Sequence, residues 1–174
     1  MTPKQKRLAQ ELEGIVSHLG LDYREIGDYE EAARTPQLER IKRHLIRGEV
    51  VGEYTLIDEF LNNRLCHYFF GKRRSFIHLW RTKKFKNFNY YVVEQLSLLE
   101  KLRFVKATSK VPKHVASEIE RVNSLRNALA HAFFPENLRS SKPFWKGKDI
   151  FTLDGLIQFG EDMKKVHEHF LGEF

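Results

Sequence analysis

The segment Ser124–Phe134, SLRNALAHAFF, places three side chains suited to chemistry among apolar and alanine residues. They are Arg126, Asn127 and His131. Arginine carries a permanent charge on a planar group that binds phosphate or carboxylate oxygens through paired hydrogen bonds. Histidine titrates near neutral pH and can therefore accept or donate a proton in a reaction. These residue types could bind an anion and move a proton next to it.

The spacing of these residues limits how one helix can present them. On a helical wheel, Arg126 falls within the apolar stripe of the segment, whereas Asn127 and His131 share a different face. His131 follows Arg126 by five positions, which puts their side chains roughly 140° apart. A compact Arg–His site therefore needs a distorted helix, a second element, or a two-fold partner that presents the same helix.

Judged on spacing alone, a purely structural interpretation of the same residues is favoured. Arg126 could pair with a carboxylate from a neighbouring helix, such as Asp58 or Glu59, and serve as a planar clamp. His131 would then be a histidine satisfied within an interface. The two interpretations predict different surroundings: a catalytic Arg126 opens to a cleft, and a structural one is sealed against a carboxylate.

Composition favours one globular, basic domain. The chain has 174 residues, of which 41% are hydrophobic and 14 are Phe. Its single cysteine, Cys66, excludes an internal disulfide and is expected to pack as a small hydrophobe. No apolar segment is long enough to span a bilayer, and the N-terminus lacks the features of a signal peptide, so a cytoplasmic protein is expected.

The net charge of +7 is concentrated in short clusters. They are KQKR (4–7), RIKRH (40–44), GKRR (71–74), RTKKFK (81–86) and KPFWKGK (142–148). Such an excess favours polyanions such as RNA, because each phosphate contact releases condensed counterions. Solvated helix faces explain the same clusters equally well.

Hydrophobic periodicity predicts an all-α helical bundle, with a helical N-terminal extension (1–49) added to a bundle (50–174). Four helices are predicted at 4–19, 35–48, 53–71 and 88–105, with Gly20 ending the first, Thr35 capping the second and Gly71 ending the third. A fifth helix is predicted to begin at Pro112, and a last one is capped by Thr152. The segment 135–152 is expected to be a loop.

The sequence RNALAH (126–131) resembles the R-x4-6-H signature of the HEPN superfamily, in which a polar residue often follows the arginine. The helical surroundings and the single helix after the motif are also similar, over about residues 50–174. Members are helical bundles that commonly form homodimers with two motifs in one cleft. Many are metal-independent endoribonucleases in prokaryotic toxin–antitoxin or antiviral systems.

The resemblance implies that Arg126 and His131 are a catalytic pair acting on RNA, with Asn127 as their polar neighbour. It also implies an acidic residue from an earlier helix, for which Asp58 and Glu59 are both candidates. An antitoxin or regulatory protein would be a further partner. One toxin branch carries a modified tyrosine two residues after the histidine; Phe133 stands there in this chain, which puts that form of control in doubt.

Other motifs give weaker signals. KKFKNFNYY (83–91) interleaves basic and aromatic residues as a base-stacking surface does, although such aromatics more often enter the core. His167 and His169 point apart on a helix and would need further ligands to bind a metal. No Gly-rich phosphate loop, nucleophile elbow or HExxH is present, so neither a cofactor nor a metal is expected.

Overall fold

The computed structural model describes residues 15–71, 81–131 and 143–171, together with positions 3, 10 and 13. These residues are mainly helical and include a small two-stranded sheet, so the prediction of an all-α helical bundle is confirmed. Residue contacts divide the chain into two compact units, Met1–Gly48 and Glu49–Phe174. Within the described segments, no helix has both the length and the apolar composition that a bilayer crossing requires.

The elements follow one another in a simple order. The α-helices are α1 (Glu31–Phe70), α2 (Lys83–Tyr91), α3 (Leu98–Thr108), α4 (Lys113–His131) and α5 (Leu153–Leu171). Strands β1 (Phe144–Trp145) and β2 (Lys148–Asp149) pair as an antiparallel hairpin between α4 and α5. Two 3₁₀ helices span Tyr23–Asp28 and Val93–Gln95.

In the first unit, helical residues 15–18 end at Gly20, as predicted. Gly20 adopts a left-handed conformation with φ of +61°. Its N–H donates to the carbonyl of Ser17, and the N–H of Leu21 donates to the carbonyl of Val16, each at 2.9 Å. This is the Schellman arrangement that closes a helix at glycine. Most of the predicted helix 4–19 lies outside the described residues.

The prediction of two separate helices at 35–48 and 53–71 is wrong, because α1 runs through both. Thr35 is not an N-cap: α1 begins before Pro36, and Arg34 ties its first turns to the preceding carbonyls of Tyr29 and Gly27. Gly48 does not end the helix, since it lacks the left-handed conformation seen at Gly71, where α1 does end as predicted.

The predicted helix 88–105 is also wrong, because the chain breaks into α2, a 3₁₀ turn and α3. Ser97 restarts the helix with a capping box: its hydroxyl accepts from the N–H of Glu100, whose carboxylate accepts from the N–H of Ser97. This pairing satisfies two N–H groups that a new helix leaves unpaired. The break turns α2 and α3 into two helices with separate buried faces.

Side chains from α1, α3, α4 and α5 fill the core of the second unit. Fully buried members include Ile57, Leu61, Leu65, Leu98, Leu102, Ile119, Val122, Phe159 and Phe170. Some large apolar side chains are instead exposed, among them Tyr68, Tyr91, Val92, Leu153 and Ile157. They lie near the ends of their helices or just beyond them.

The hairpin, which falls within the predicted loop 135–152, is fixed to α4 and α5 by a polar cluster that includes the buried Glu118 and Asp162. Lys146 and Gly147 both have positive φ, which is the geometry of a tight two-residue hairpin turn. This turn directs Nζ of Lys146 to within 2.7 Å of carboxylate oxygens of both Glu118 and Asp162. The indole N–H of the buried Trp145 donates to Asp162 at 2.9 Å.

These contacts control the ionisation of Asp162. Burial raises the pKa of this carboxyl group, but hydrogen bonds from Lys146, Trp145 and Lys165 outweigh burial and lower the pKa to about 2. Burial likewise opposes the charge on Lys146, yet its hydrogen bonds to Asp162 and Glu118 raise the pKa of the amine. The cluster is therefore a set of mutually dependent charges.

The backbone of the first turn of α5 packs directly against this hairpin at Gly155. A Cβ added to Gly155 would lie 2.0 Å from the carbonyl oxygen of Asp149, a backbone atom that cannot move aside. Thr152 caps α5 as predicted, since its hydroxyl accepts from the N–H of Gly155 at 3.1 Å. The requirement for glycine thus comes from the packing of the helix against β2.

We expect Gly155→Ala to destabilise the protein by about 1–3 kcal/mol, because the new methyl group forces the helix away from the hairpin. Gly160→Ala in the same helix is the matched control, since nothing lies within 4 Å of its added Cβ. It should be neutral or stabilise by up to about 1 kcal/mol. Urea unfolding measures both, and equal stabilities would contradict the close approach.

We expect Asp162→Asn to lower the free energy of unfolding at neutral pH by about 2 kcal/mol. Folding lowers the pKa of Asp162 from 3.8 to about 2. The ionised carboxylate therefore stabilises the fold above pH 3.8, and this stabilisation is lost as the pH falls toward 2. Urea unfolding across this window should therefore show a weaker acid dependence in Asp162→Asn. The exposed Glu161→Gln is the control and should retain the wild-type slope.

Candidate functional site

Arg126 lies in the second-to-last turn of α4 and is half-buried. Its Nη1 donates to Oδ1 of Asn127 at 3.2 Å, and its Cζ lies 5.2 Å from the centre of the Tyr54 ring. The flanking Leu125 and Leu129 are buried. Within the part of the chain that the structure describes, no carboxylate pairs with Arg126. The side chain is thus held in place by an amide and a ring.

Tyr54, on α1, connects Arg126 to the candidate acid Asp58. Burial raises the pKa of the Tyr54 hydroxyl, the negative charge of Asp58 raises it further, and the positive charge of Arg126 lowers it. Tyr54 and Asp58 are four residues apart, so they share one face of α1. Tyr54 therefore experiences both charges, although Arg126 and Asp58 do not form an ion pair.

Asp58 is instead paired with Lys101 on α3. Nζ of Lys101 lies 2.8 Å from Oδ1 and 2.7 Å from Oδ2 of Asp58. Lys101 is only 4% exposed, and Asn62 adds a hydrogen bond to Oδ2 of Asp58 at 3.3 Å. A buried lysine without its carboxylate would leave an uncompensated charge. Asp58 is therefore required by Lys101.

Glu59, the second candidate acid, has an exposed side chain. Its charge reaches the neighbouring thiol of Cys66, whose pKa is raised to about 11 by burial and then by Glu59. Cys66 is 1% exposed and packs with Phe85, as expected of a small hydrophobe. Glu59 is thus more open to solvent than Asp58, whose side chain is 24% exposed.

Both acidic residues line one cavity of about 360 Å³. Its wall also includes Asn62, Phe85 and Lys101, but Arg126 does not line it. The structure therefore brings Arg126, Asn127 and Tyr54 together on one side of Asp58, and the cavity lies on another.

His131 is the last residue of α4, and its side chain lies outside the described residues. The same holds for Phe133, which follows the helix. The described residues therefore do not include the imidazole that would pair with the guanidinium of Arg126. The joint site of Arg126 and His131 stays a prediction, as does a site completed by a second copy of the chain.

The histidines of α5 have structural partners. Nε2 of His167 lies 2.7 Å from Oε2 of Glu53, and its ring meets that of Phe60 edge-on at 5.6 Å. The His169 ring contacts Phe170 at 5.1 Å. Among the residues with described positions, no group of three or more His, Cys, Asp or Glu is arranged to hold a metal ion.

Sequence reasoning missed two residues of this site, Tyr54 and Lys101. Tyr54 could have been found because it precedes Asp58 by one helical turn and so lies on the same face. Lys101 stands one position before Leu102 and three after Leu98, on the buried face of α3. A lysine at such a position predicts a buried carboxylate partner.

The geometry around Arg126 is suited to binding an anion. A guanidinium stacked on an aromatic ring keeps its charge, and the ring restricts its orientation. Because no carboxylate neutralises it within the described residues, its remaining N–H donors can bind phosphate oxygens.

No family model, no curated protein and no solved structure matches the chain, so the resemblance to the HEPN superfamily rests on RNALAH and its helical setting.

We expect charge removal at the two neighbours to move the pKa of Tyr54 in opposite directions. Arg126→Ala should raise this pKa, because it removes the positive charge near the ring; Asp58→Asn should lower it, because it removes the negative charge. Ultraviolet titration of tyrosinate, with Tyr54→Phe as the reference that isolates this residue, measures both shifts. Shifts of the same sign would contradict the described arrangement.

Proposed function

We propose that the protein is a HEPN-like, metal-independent endoribonuclease, or an RNA-binding protein derived from one, that acts as a homodimer in a prokaryotic toxin–antitoxin or phage-defence system. The observation that carries the proposal is the state of Arg126. Its guanidinium is held by Tyr54 and Asn127 without a described carboxylate partner. A half-buried positive charge of this kind calls for an anionic ligand, and RNA phosphate is the anion that the motif suggests.

In this mechanism, Arg126 stabilises the charge that builds on the phosphorane oxygens during cleavage. A preorganised donor lowers the barrier most when it is fixed before the reaction, as the ring of Tyr54 fixes this guanidinium. Asn127 restricts the same group through its hydrogen bond to Nη1. Arg126 is therefore assigned to phosphate binding and transition-state stabilisation.

His131 supplies the proton transfers. The 2′-hydroxyl must lose a proton to attack the adjacent phosphorus, and the leaving 5′-oxygen must gain one. Imidazole can perform either step near neutral pH. The P–O5′ bond breaks as the O2′–P bond forms, so the products are a 2′,3′-cyclic phosphate and a 5′-hydroxyl. Two copies of the motif in one cleft would supply one histidine for each transfer.

Of the two candidate acids, we infer that Glu59 rather than Asp58 can act on a substrate, from the cavity that Glu59 lines and Arg126 does not. Asp58 is engaged by the buried Lys101, and protonating it would break that pair. Glu59 is exposed and has no comparable commitment. Its role would be to orient a donor or the substrate rather than to replace His131.

A non-catalytic helical binding or regulatory module is the second candidate. The observation that favours it is the same Tyr54 contact, which would also hold Arg126 in a purely structural role. In that case Arg126→Ala would chiefly reduce stability. The two functions therefore separate when activity and stability are measured on the same variants.

We expect the purified protein to cleave single-stranded RNA in the presence of EDTA, leaving 2′,3′-cyclic phosphate ends. Arg126→Ala and His131→Ala should each reduce the rate by about 100-fold or more, because each removes a group needed in the transition state. Arg126→Lys should recover little, since an ammonium cannot reproduce the paired donors. Expression should arrest growth, and Arg126→Ala should relieve the arrest.

Thermal melting of the same variants serves as the control and should change little. If RNA stays intact with the wild type, and Arg126→Ala lowers the melting temperature by several degrees, the binding-module function is supported instead. Activity that disappears with EDTA and returns with a divalent metal would contradict the metal-independent mechanism.

A further inference from the structure

Helix α2 divides the segment KKFKNFNYY into a buried face and an exposed face. Phe85 is 1% exposed and packs on Cys66, with Phe70 and Phe88 partly buried around it. The first two aromatics of the segment thus enter the core. The last two aromatics, Tyr90 and Tyr91, lie outside the core.

Tyr90 and Tyr91 are 58% and 70% exposed, respectively. Their rings meet edge-on with centres 4.8 Å apart. The backbone beneath them is fixed, because Gln95 donates to the carbonyl of Tyr90 at 3.2 Å and the buried Val93 anchors the turn that follows. Two large rings are therefore presented to solvent on a rigid support.

Three lysines precede these rings on the same helix. On the helical wheel, Lys83, Lys86 and Tyr90 fall within an arc of about 60°, and Lys84 and Tyr91 lie together on one side of it, about 80–100° from Lys83. All three lysines are exposed, and Nζ of Lys84 lies 5.8 Å from the centre of the Phe70 ring. We call these five residues the lysine–tyrosine surface.

The charges on α2 work against the helix itself. Its first turn holds two lysines and no acidic residue, although the N-terminus of a helix carries a partial positive charge that favours anions. The nearest carboxylate in sequence, Glu94, accepts a hydrogen bond from Asn89 at 2.6 Å rather than contacting a described lysine. A bound polyanion would relieve this unfavourable arrangement.

We propose that the lysine–tyrosine surface binds single-stranded nucleic acid, with the tyrosine rings stacking on unpaired bases and the lysines contacting the phosphates. Lysines alone would serve equally for solubility or for a duplex. The exposed rings favour a single strand, because only unpaired bases offer their faces for stacking. The surface is separate from Arg126, so it would position a strand whether or not the protein cleaves it.

The test measures binding of a fluorescein-labelled pyrimidine DNA strand of about 12 nucleotides by anisotropy, since DNA lacks the 2′-hydroxyl that cleavage requires. Tyr90→Ala/Tyr91→Ala should weaken binding by about tenfold or more. Lys83→Ala/Lys84→Ala/Lys86→Ala should reduce the slope of log affinity against log salt by about 2. The wild type should bind the single strand more tightly than the matching duplex.

Matched controls separate a local surface from general charge or folding effects. Tyr23→Ala/Tyr29→Ala removes two exposed tyrosines elsewhere, and Lys110→Ala/Lys113→Ala/Lys164→Ala removes the same net charge from other exposed positions. Both should bind nearly as the wild type does. Circular dichroism of every variant verifies the helical content, and a partly unfolded Tyr90→Ala/Tyr91→Ala is replaced by Tyr90→Ser/Tyr91→Ser.

Equal affinities in the surface variants and their controls would overturn the proposal. So would binding to vesicles of anionic lipid without binding to the strand, or a preference for duplex. Arg126→Ala in the same assay should reduce the slope of log affinity against log salt by no more than about 0.7, the value of one phosphate contact. Loss of binding in the tyrosine variant therefore supports the surface even where the wild type shows no cleavage.

Discussion

The buried ion pair between Asp58 and Lys101 determines what Arg126 can do. Lys101 is nearly inaccessible to solvent, so its charge requires the carboxylate of Asp58 at 2.7 Å. Asp58 lies on the same face of α1 as Tyr54, over which the guanidinium of Arg126 is placed. Because Lys101 takes the carboxylate, Arg126 has an aromatic ring as its neighbour in place of an anion.

The rest of the second unit supports this arrangement through rigid contacts. α1 and α3 present Tyr54 and Asp58 on one side and Lys101 on the other, and α4 carries Arg126 between two buried leucines. Nearer the start of α4, Glu118 pairs with Lys146 of the hairpin, which also pairs with Asp162 on α5. The helix that bears the motif is thus fixed both by apolar packing and by charge, which is the support that a preorganised site needs.

Local signals predicted those parts of the fold that depend on local chemistry. Gly20, Gly71, Pro112 and Thr152 mark helix ends correctly because a left-handed glycine, a proline or a capping hydroxyl acts within one turn. Ser97 and Glu100 are also such a signal, and the capping box could have been read from the sequence. Gly48 misled because a glycine ends a helix only where the chain adopts the left-handed conformation, and buried neighbours such as Val50 continue α1 through it.

The site was less accessible to sequence reasoning. Arg126 and Asn127 were found by residue type, and Asp58 by its position on a neighbouring helix. The partner of Asp58 depends on how α1 packs against α3, more than forty residues away along the chain. Sequence spacing could not distinguish Lys101 from Arg126 as that partner, and the orientation of His131 toward Arg126 remains a prediction from the motif.

Nuclear magnetic resonance of the Arg126 side chain tests whether its guanidinium binds an anion. The Nε–Hε signal of Arg126, assigned through Arg126→Lys, is followed while a short DNA strand that cannot be cleaved is added. We expect a saturable shift of this signal, with the signals of exposed arginines such as Arg121 moving less. A signal that stays in place up to saturating strand would contradict it.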